Sequence, residues 1–448
     1  MASVLSLVFA TFFVSQPVFA ASPTAAAWYA GWHAAQFPPA NVSWSKYSLV
    51  TYAFALPSPD AGKIELPSDD EDAIVREFVQ EAHKNNVKAS ISIGGWTGSR
   101  YFSSQVGSAH NRTAFVDGVL DLVSEYSFDG VDFDWEYPNK QGVGCNIVNK
   151  NDSANFLSFL QELRGRPAAK DLVLSAATFL QPFNGSDGKP MQDVSAFGDV
   201  LDHIAIMNYD VSNALSVNAG PNAPLNDTCA PANHRHGSAA TAVAAWTSAG
   251  MPSSKILLGV PAYGHSFAVG PLSNSSELSA YPASNPSVLG KGDSWDGDGG
   301  EDICGVFQGP SGVYNYWALA EEGLIDKNGT ALSGVLSSFD NCSQTPYVYD
   351  RTKQVLISYD NPVSFAAKGR FIRDNALAGF AVWEAAGDPD DILLDAILSG
   401  ISDTTSTSQS PSASASSTPS NAVTPRHTTA ASLLWASLPL HLILTFIL

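Results

Sequence analysis

Residues 128 to 138 read Phe-Asp-Gly-Val-Asp-Phe-Asp-Trp-Glu-Tyr-Pro. Within them Val131, Phe133 and Trp135 alternate with Asp132, Asp134 and Glu136, the two-residue period of a β-strand. The three acids therefore share one face and the three large apolar residues the other. Pro138, with no amide to donate, ends the strand and leaves Glu136 at its C-terminal tip. Asp129 has the opposite parity and precedes the strand, which makes it structural. A solvated edge strand normally mixes Thr, Lys and Ser; here three acids stand in register. Acids two residues apart on a strand are about 6.6 Å apart and repel one another. If that face is enclosed, at least one acid keeps its proton near neutral pH. A carboxylic acid with a raised pKa is what a general acid requires.

Asp129, Asp132, Asp134 and Glu136 fit the DxxDxDxE signature, and the chain here resembles glycoside hydrolase family 18, the chitinase family. Ser92-Ile93-Gly94-Gly95 is similar to the family's SxGG, where glycines let backbone pass under a neighbouring strand or ligand. Met207-Asn208-Tyr209-Asp210 is similar to its MxYD. The resemblance implies that Glu136 is the general acid and that Asp134 turns to the substrate's acetamido group. It further implies that Asp132 shares a proton with its neighbour, that Tyr209 steadies the N-acetyl group and that Asp210 helps bind it. Trp383 becomes the hydrophobic floor under the sugar at the cleavage point, since an indole face suits the apolar face of a pyranose. Met207, Tyr137, Trp96, Gly95 and Tyr29 complete the expected substrate-binding set. Parity leaves Tyr29 and Trp32 open between sugar platform and core. His265 stands where the family more often has Arg, so no role passes to it. The family is a substrate-assisted exception to the two-carboxylate scheme. That fits acids confined to one strand, and no metal or organic cofactor is implied.

The elements that must hold these residues alternate strand with helix, the pattern of a parallel sheet. Strands are expected at residues 25–32, 49–56, 87–93, 131–136, 172–177, 204–209, 255–262 and 379–383. Helices are expected near 69–85, 111–124, 153–164, 195, 239–248, 361–375 and 390–398. The fold class is α/β, a (β/α)8 TIM barrel spanning 21–268 and 355–400. From 269 to 354 the alternation stops for too long to be a loop. The resemblance makes this stretch a small inserted α+β domain between strands seven and eight, one wall of a deep cleft. Residues 211–237 read as a long rim loop; its His234 and His236 flank an Arg and lack acid or Cys partners, which argues against a metal.

The chain has 448 residues and a formal net charge of -20, which disfavours nucleic acid because phosphates would repel it. Residues 1–20, with an apolar run from Leu5 to Val14 and small residues Val18 and Ala20, read as a secretory signal. N-x-[ST] sequons at Asn41, Asn111, Asn151, Asn184, Asn226, Asn274, Asn328 and Asn341 favour an exported, glycosylated chain. Four cysteines can pair in three ways; the expected pairs are Cys145–Cys229, joining two rim loops, and Cys304–Cys342, inside the insertion. Residues 401–420, rich in Ser, Thr and Pro, read as a stalk that builds no core. Residues 421–448 match a GPI-anchor signal with attachment at Ser420, and the apolar tail is short for a membrane span. The expected protein is a monomeric chitinase at the cell surface, held by a lipid anchor and acting on chitin or N-acetylglucosamine oligosaccharides. Two alternatives stand beside it: a non-catalytic chitin-binding lectin, and an endo-β-N-acetylglucosaminidase or transglycosylase on the same fold.

Overall fold

The computed structural model describes residues 23–403, apart from 275–277, 279–280 and 289. The expected signal, most of the stalk and the anchor lie outside the described residues. Eight parallel strands close on themselves: Thr24–Ala30, Leu49–Pro57, Lys88–Gly94, Gly130–Asp134, Val173–Thr178, His203–Ile206, Ile256–Pro261 and Gly379–Trp383. The first strand completes the ring, pairing Ala25 with Phe380 on one side and Tyr29 with Tyr52 on the other. Helices Glu71–Lys84, Ala109–Tyr126, Asp152–Arg164, Ser195–Val200, Ala239–Ser248, Pro362–Asp374 and Ile392–Ser402 follow strands around the outside. Several carry the expected end signals. Ser108 and Asn361 accept hydrogen bonds from the third residue of the helices they begin, and Pro362 occupies a first helical position.

Strand parity sorts the side chains into two cores. On the fourth strand Phe133 packs edge-on against Phe159, while Trp135, just beyond it, stacks on Phe102. Both thus lie in the large layer between barrel and helices. The facing positions, Asp132 and Asp134, point into the barrel. That interior is lined by small residues such as Ala26, Ala53, Ala177, Ala205 and Ala381, with Trp28 and Phe54 among them. Small side chains there leave room that a filled barrel of Val, Ile and Leu would not.

Residues 263–358 carry a second sheet, antiparallel, in the spatial order Val313–Asn315, Tyr263–Ala268, Val355–Ser358, Thr345–Asp350, Leu336–Asp340. It is joined by the short helix Tyr316–Glu321. The sheet takes in 263–268 and 355–358, which the sequence pattern assigns to the barrel. The seventh barrel strand stops at Pro261, and Tyr263–Ala268 pairs with the second sheet instead. Period-two patterning is the same on both sides of that change of partner, so sequence alone runs the two strands together.

The cysteines pair as Cys145–Cys304 and Cys229–Cys342, with Cα atoms 5.6 and 6.3 Å apart. This corrects both expected pairs. The rim loops holding Cys145 and Cys229 each face the insertion and not one another, so each bond ties barrel to insertion.

Candidate active site

The acidic face of the fourth strand sits at the centre of the barrel mouth. Asp132 is 2% exposed and accepts hydrogen bonds from Trp28 Nε1 (3.2 Å), Ser92 Oγ (2.8 Å) and Ser175 Oγ (2.7 Å). Burial raises its pKa and these donors hold it back. Asp134 is 4% exposed, and its Oδ1 is buried with no hydrogen-bond partner among the described residues. Burial first, then the charges of Glu136 and Asp132, push its pKa well up. With three donors aimed at Asp132, the proton of this pair rests on Asp134.

Glu136 follows the strand end and is half-buried. Ser99 Oγ, which accepts from the Glu136 amide at 2.7 Å, fixes its backbone, and Asn146 Nδ2 donates to its carbonyl at 2.9 Å. Desolvation raises its carboxyl pKa to about 7; Asp210 adds to the rise, while Tyr137 and Lys140 oppose it. Lys140 lies over the Phe179 ring and beside Tyr137, a cation held by two aromatic faces near the acid. A group tuned this way can hand over a proton near neutral pH.

Gly94 and Gly95 carry the third strand past these acids. Their φ angles are +114° and +79°, and a Cβ would meet the Asp134 carbonyl at Gly94 and the Phe54 ring at Gly95. Trp96, half-buried, begins the turn that leads away from the mouth. Asp129, of the other parity, accepts from the Ala89 amide and contacts His83 at the far end of the strand.

Tyr209 and Asp210 come from beyond the sixth strand, which ends at Ile206. Asp210 adopts a φ of 58°, held by its amide donating to Asn222 Oδ1, and Asn222 Nδ2 donates in turn to the Tyr263 carbonyl. Asp210 Oδ1 accepts from Tyr263 Oη and contacts His265 Nε2, each at 2.6 Å. Met207 and Trp383 pack against Tyr209 and Tyr263. Trp383 closes the floor, with Trp28, Phe54 and Trp32 rings 5.9, 5.7 and 6.3 Å away.

The structure thus brings Asp132, Asp134, Glu136, Tyr137, Gly95, Met207, Tyr209, Asp210 and Trp383 to one mouth, whereas Trp96 begins the turn that leaves it. Tyr29 is also an exception and is corrected. It is 1% exposed, packs on Phe78 and Tyr52 outside the barrel, and donates its hydroxyl to the Phe37 carbonyl. Its neighbour Trp28 has the inward parity. Sequence reading misses Trp28, Ser175, Asn222, Tyr263 and Lys140. Trp28 and Ser175 fall on expected strands and Lys140 lies three residues past Tyr137, but no local pattern marks any of the five for the site.

Residues 24–388 match the family model for glycosyl hydrolases family 18. A chitinase-like effector of Moniliophthora roreri is 46% identical over 401 residues, 88% of this chain and 97% of that protein. Chitinase A1 of Niallia circulans is 30% identical over 310 residues, 68% of this chain and 41% of that protein. Among solved structures, a chitinase from Rhizomucor miehei superposes with a TM-score of 0.76 at 33% identity, covering 84% of this chain and 99% of that one. From its acidic strand to its closed barrel and the extent of that match, the chain belongs to glycosyl hydrolases family 18.

Proposed function

We propose that the protein hydrolyses β-1,4 bonds between N-acetylglucosamine residues of chitin, with retention of anomeric configuration and with the substrate supplying the nucleophile. The observation that carries this reading is the buried acid row, in which Glu136 is raised to about 7 beside an Asp134 oxygen with no hydrogen-bond partner among the described residues. Glu136 protonates the bridging oxygen as its bond to the anomeric carbon breaks. The acetamido carbonyl oxygen attacks that carbon; Asp134 passes its proton to Asp132, accepts the N–H of the resulting oxazolinium ion as a carboxylate, and holds the ion together with the Tyr209 hydroxyl. Water then adds to the anomeric carbon, gives its proton to the Glu136 carboxylate, and the acetamide is restored. Trp383 lies under the sugar. Asp210, engaged by Tyr263 and His265, is occupied and does not serve as a second nucleophile.

A relative named chitinase-like effector, a name that does not state hydrolysis, favours a second reading as a non-catalytic chitin-binding protein. Retention of Glu136 weighs against it. An endo-β-N-acetylglucosaminidase or transglycosylase remains the third. The protein acts at the cell surface as a monomer held by a lipid anchor, a reading supported by the sequons and the apolar tail.

Anomer-resolved product analysis on N-acetylglucosamine oligomers tests all of this. The wild type yields β-anomers, and Glu136→Gln loses about 10²- to 10⁴-fold in turnover while keeping oligomer binding. Binding without any wild-type turnover leaves the lectin, and cleavage of a glycoprotein glycan in preference to chitin oligomers leaves the third reading.

A further inference from the structure

Glu136 follows the fourth barrel strand and Trp383 ends the eighth, and in the closed ring these two strands lie opposite one another. A sugar seated on Trp383 with its anomeric carbon at Glu136 therefore directs the next unit, the one that leaves, toward the tips of the fourth and fifth strands. Lys140 stands there. Its Nζ lies 3.5 Å from the ring centroid of Phe179, which follows the fifth strand, and 4.7 Å from that of Tyr137.

Two features separate this cation from an ordinary surface lysine. The first is that it has no carboxylate within ion-pair distance among the described residues. Lys46, Lys63, Lys84, Lys291, Lys353 and Lys368 each meet an acid at 2.9 Å or less. Burial lowers the pKa of Lys140, against the pull of the Glu136 charge. A desolvated cation without a partner is costly, and two ring faces offset only part of that cost. The second feature is that the backbone carrying it is fixed. The Lys140 amide donates to the Tyr137 carbonyl. Asn139 before it donates its amide to the buried Asp152 and its side chain to the Gly185 carbonyl, and its own carbonyl accepts from Asn184 Nδ2. The acids of the mouth do not cancel the charge. Asp132 is engaged by three donors inside the barrel, Asp210 by Tyr263 and His265, and Glu136 enters the reaction protonated.

We propose that Lys140 reads the charge of the sugar on the leaving side of the scissile bond. It admits N-acetylglucosamine, whose amide is neutral, and turns away glucosamine, whose free amine is an ammonium in acid solution. The proposal rests on the reading of the protein as chitin-hydrolysing and narrows its substrate to acetylated stretches of chain. Substrate assistance already demands an N-acetyl group on the unit over Trp383; Lys140 adds a demand on the next unit by charge alone. The net charge of -20 draws a polycation as a whole but does not distinguish one bond from its neighbour. Across several ångströms of partly wet surroundings, the repulsion amounts to about five- to tenfold in kcat/KM.

Digestion of a soluble, half-acetylated chitosan, with identification of the sugar at each new non-reducing end, tests this. At a pH of about 5.5 the wild type leaves glucosamine at those ends about five- to tenfold less often than the polymer composition gives. At a pH of about 8 most of the amine has lost its proton, and the bias falls below about twofold. Lys140→Arg keeps the charge and the bias at the lower pH, and Lys140→Met abolishes the bias at both. The pH comparison needs no variant, so it decides the matter even where a substitution disturbs folding. No bias at the lower pH, an equal bias at both, or a bias that survives in Lys140→Met overturns the charge reading while chitin cleavage stands. Failure of the wild type to cleave fully acetylated oligomers removes the hydrolytic reading, and this one with it.

Discussion

At Glu136 the dominant influence is desolvation. Burial alone outweighs the two groups that would hold the carboxylate ionised, and the carboxyl titrates at about 7. As a general acid it works only when protonated, so the active form is present below that value and is lost above it. The kcat/KM profile, which reports the free enzyme, falls tenfold per pH unit on the alkaline side of about 7. Lys140 opposes the rise, so Lys140→Met moves that limb to higher pH. A limb that stays in place or moves to lower pH contradicts this assignment of charges. Asp132 plays a different part. Its three donors come from Trp28, Ser92 and Ser175 on three other strands, and they keep one carboxylate ionised so that its neighbour carries the proton.

At the level of the element, the fourth strand is held by the face opposite its chemistry. Phe133 and Trp135 are locked among Phe102, Phe156 and Phe159, which fixes the backbone from which the acids project. The third strand supports them through Gly94, whose φ of +114° disfavours any side chain and whose Cβ would strike the Asp134 carbonyl. Gly94→Ala therefore costs about 2 kcal/mol or more in stability and lowers turnover together with it. Gly144→Ala is the control: its Cβ position is open, and its melting temperature stays close to wild type. Equal melting temperatures for the two variants would show that the strand can yield at Gly94. The loop after the sixth strand depends on Asn222, one side chain joining the Asp210 amide to the Tyr263 carbonyl.

Across the whole molecule, barrel and insertion are bound into one body by bonds that cross between them. Cys145–Cys304 and Cys229–Cys342 close separations of 159 and 113 residues. Non-reducing peptide mapping recovers these two cross-links and neither Cys145–Cys229 nor Cys304–Cys342. Replacing Cys145 and Cys304 together by Ser lowers stability by about 2–4 kcal/mol in denaturant unfolding.

The acidic strand is legible before any fold is known, because period two places Asp132, Asp134 and Glu136 on one face whatever surrounds them. The strand–helix alternation likewise implies a parallel sheet, and the resemblance together with the length makes that sheet a closed barrel. Parity separates the two faces of a strand but does not say which one turns inward; that is why Tyr29 lies against the helices and Trp28 reaches Asp132. The cysteine partners and the change of sheet after Pro261 depend on which distant segments become neighbours. Such proximity is a property of the packed chain, since residues more than a hundred positions apart carry no local pattern that identifies their partner.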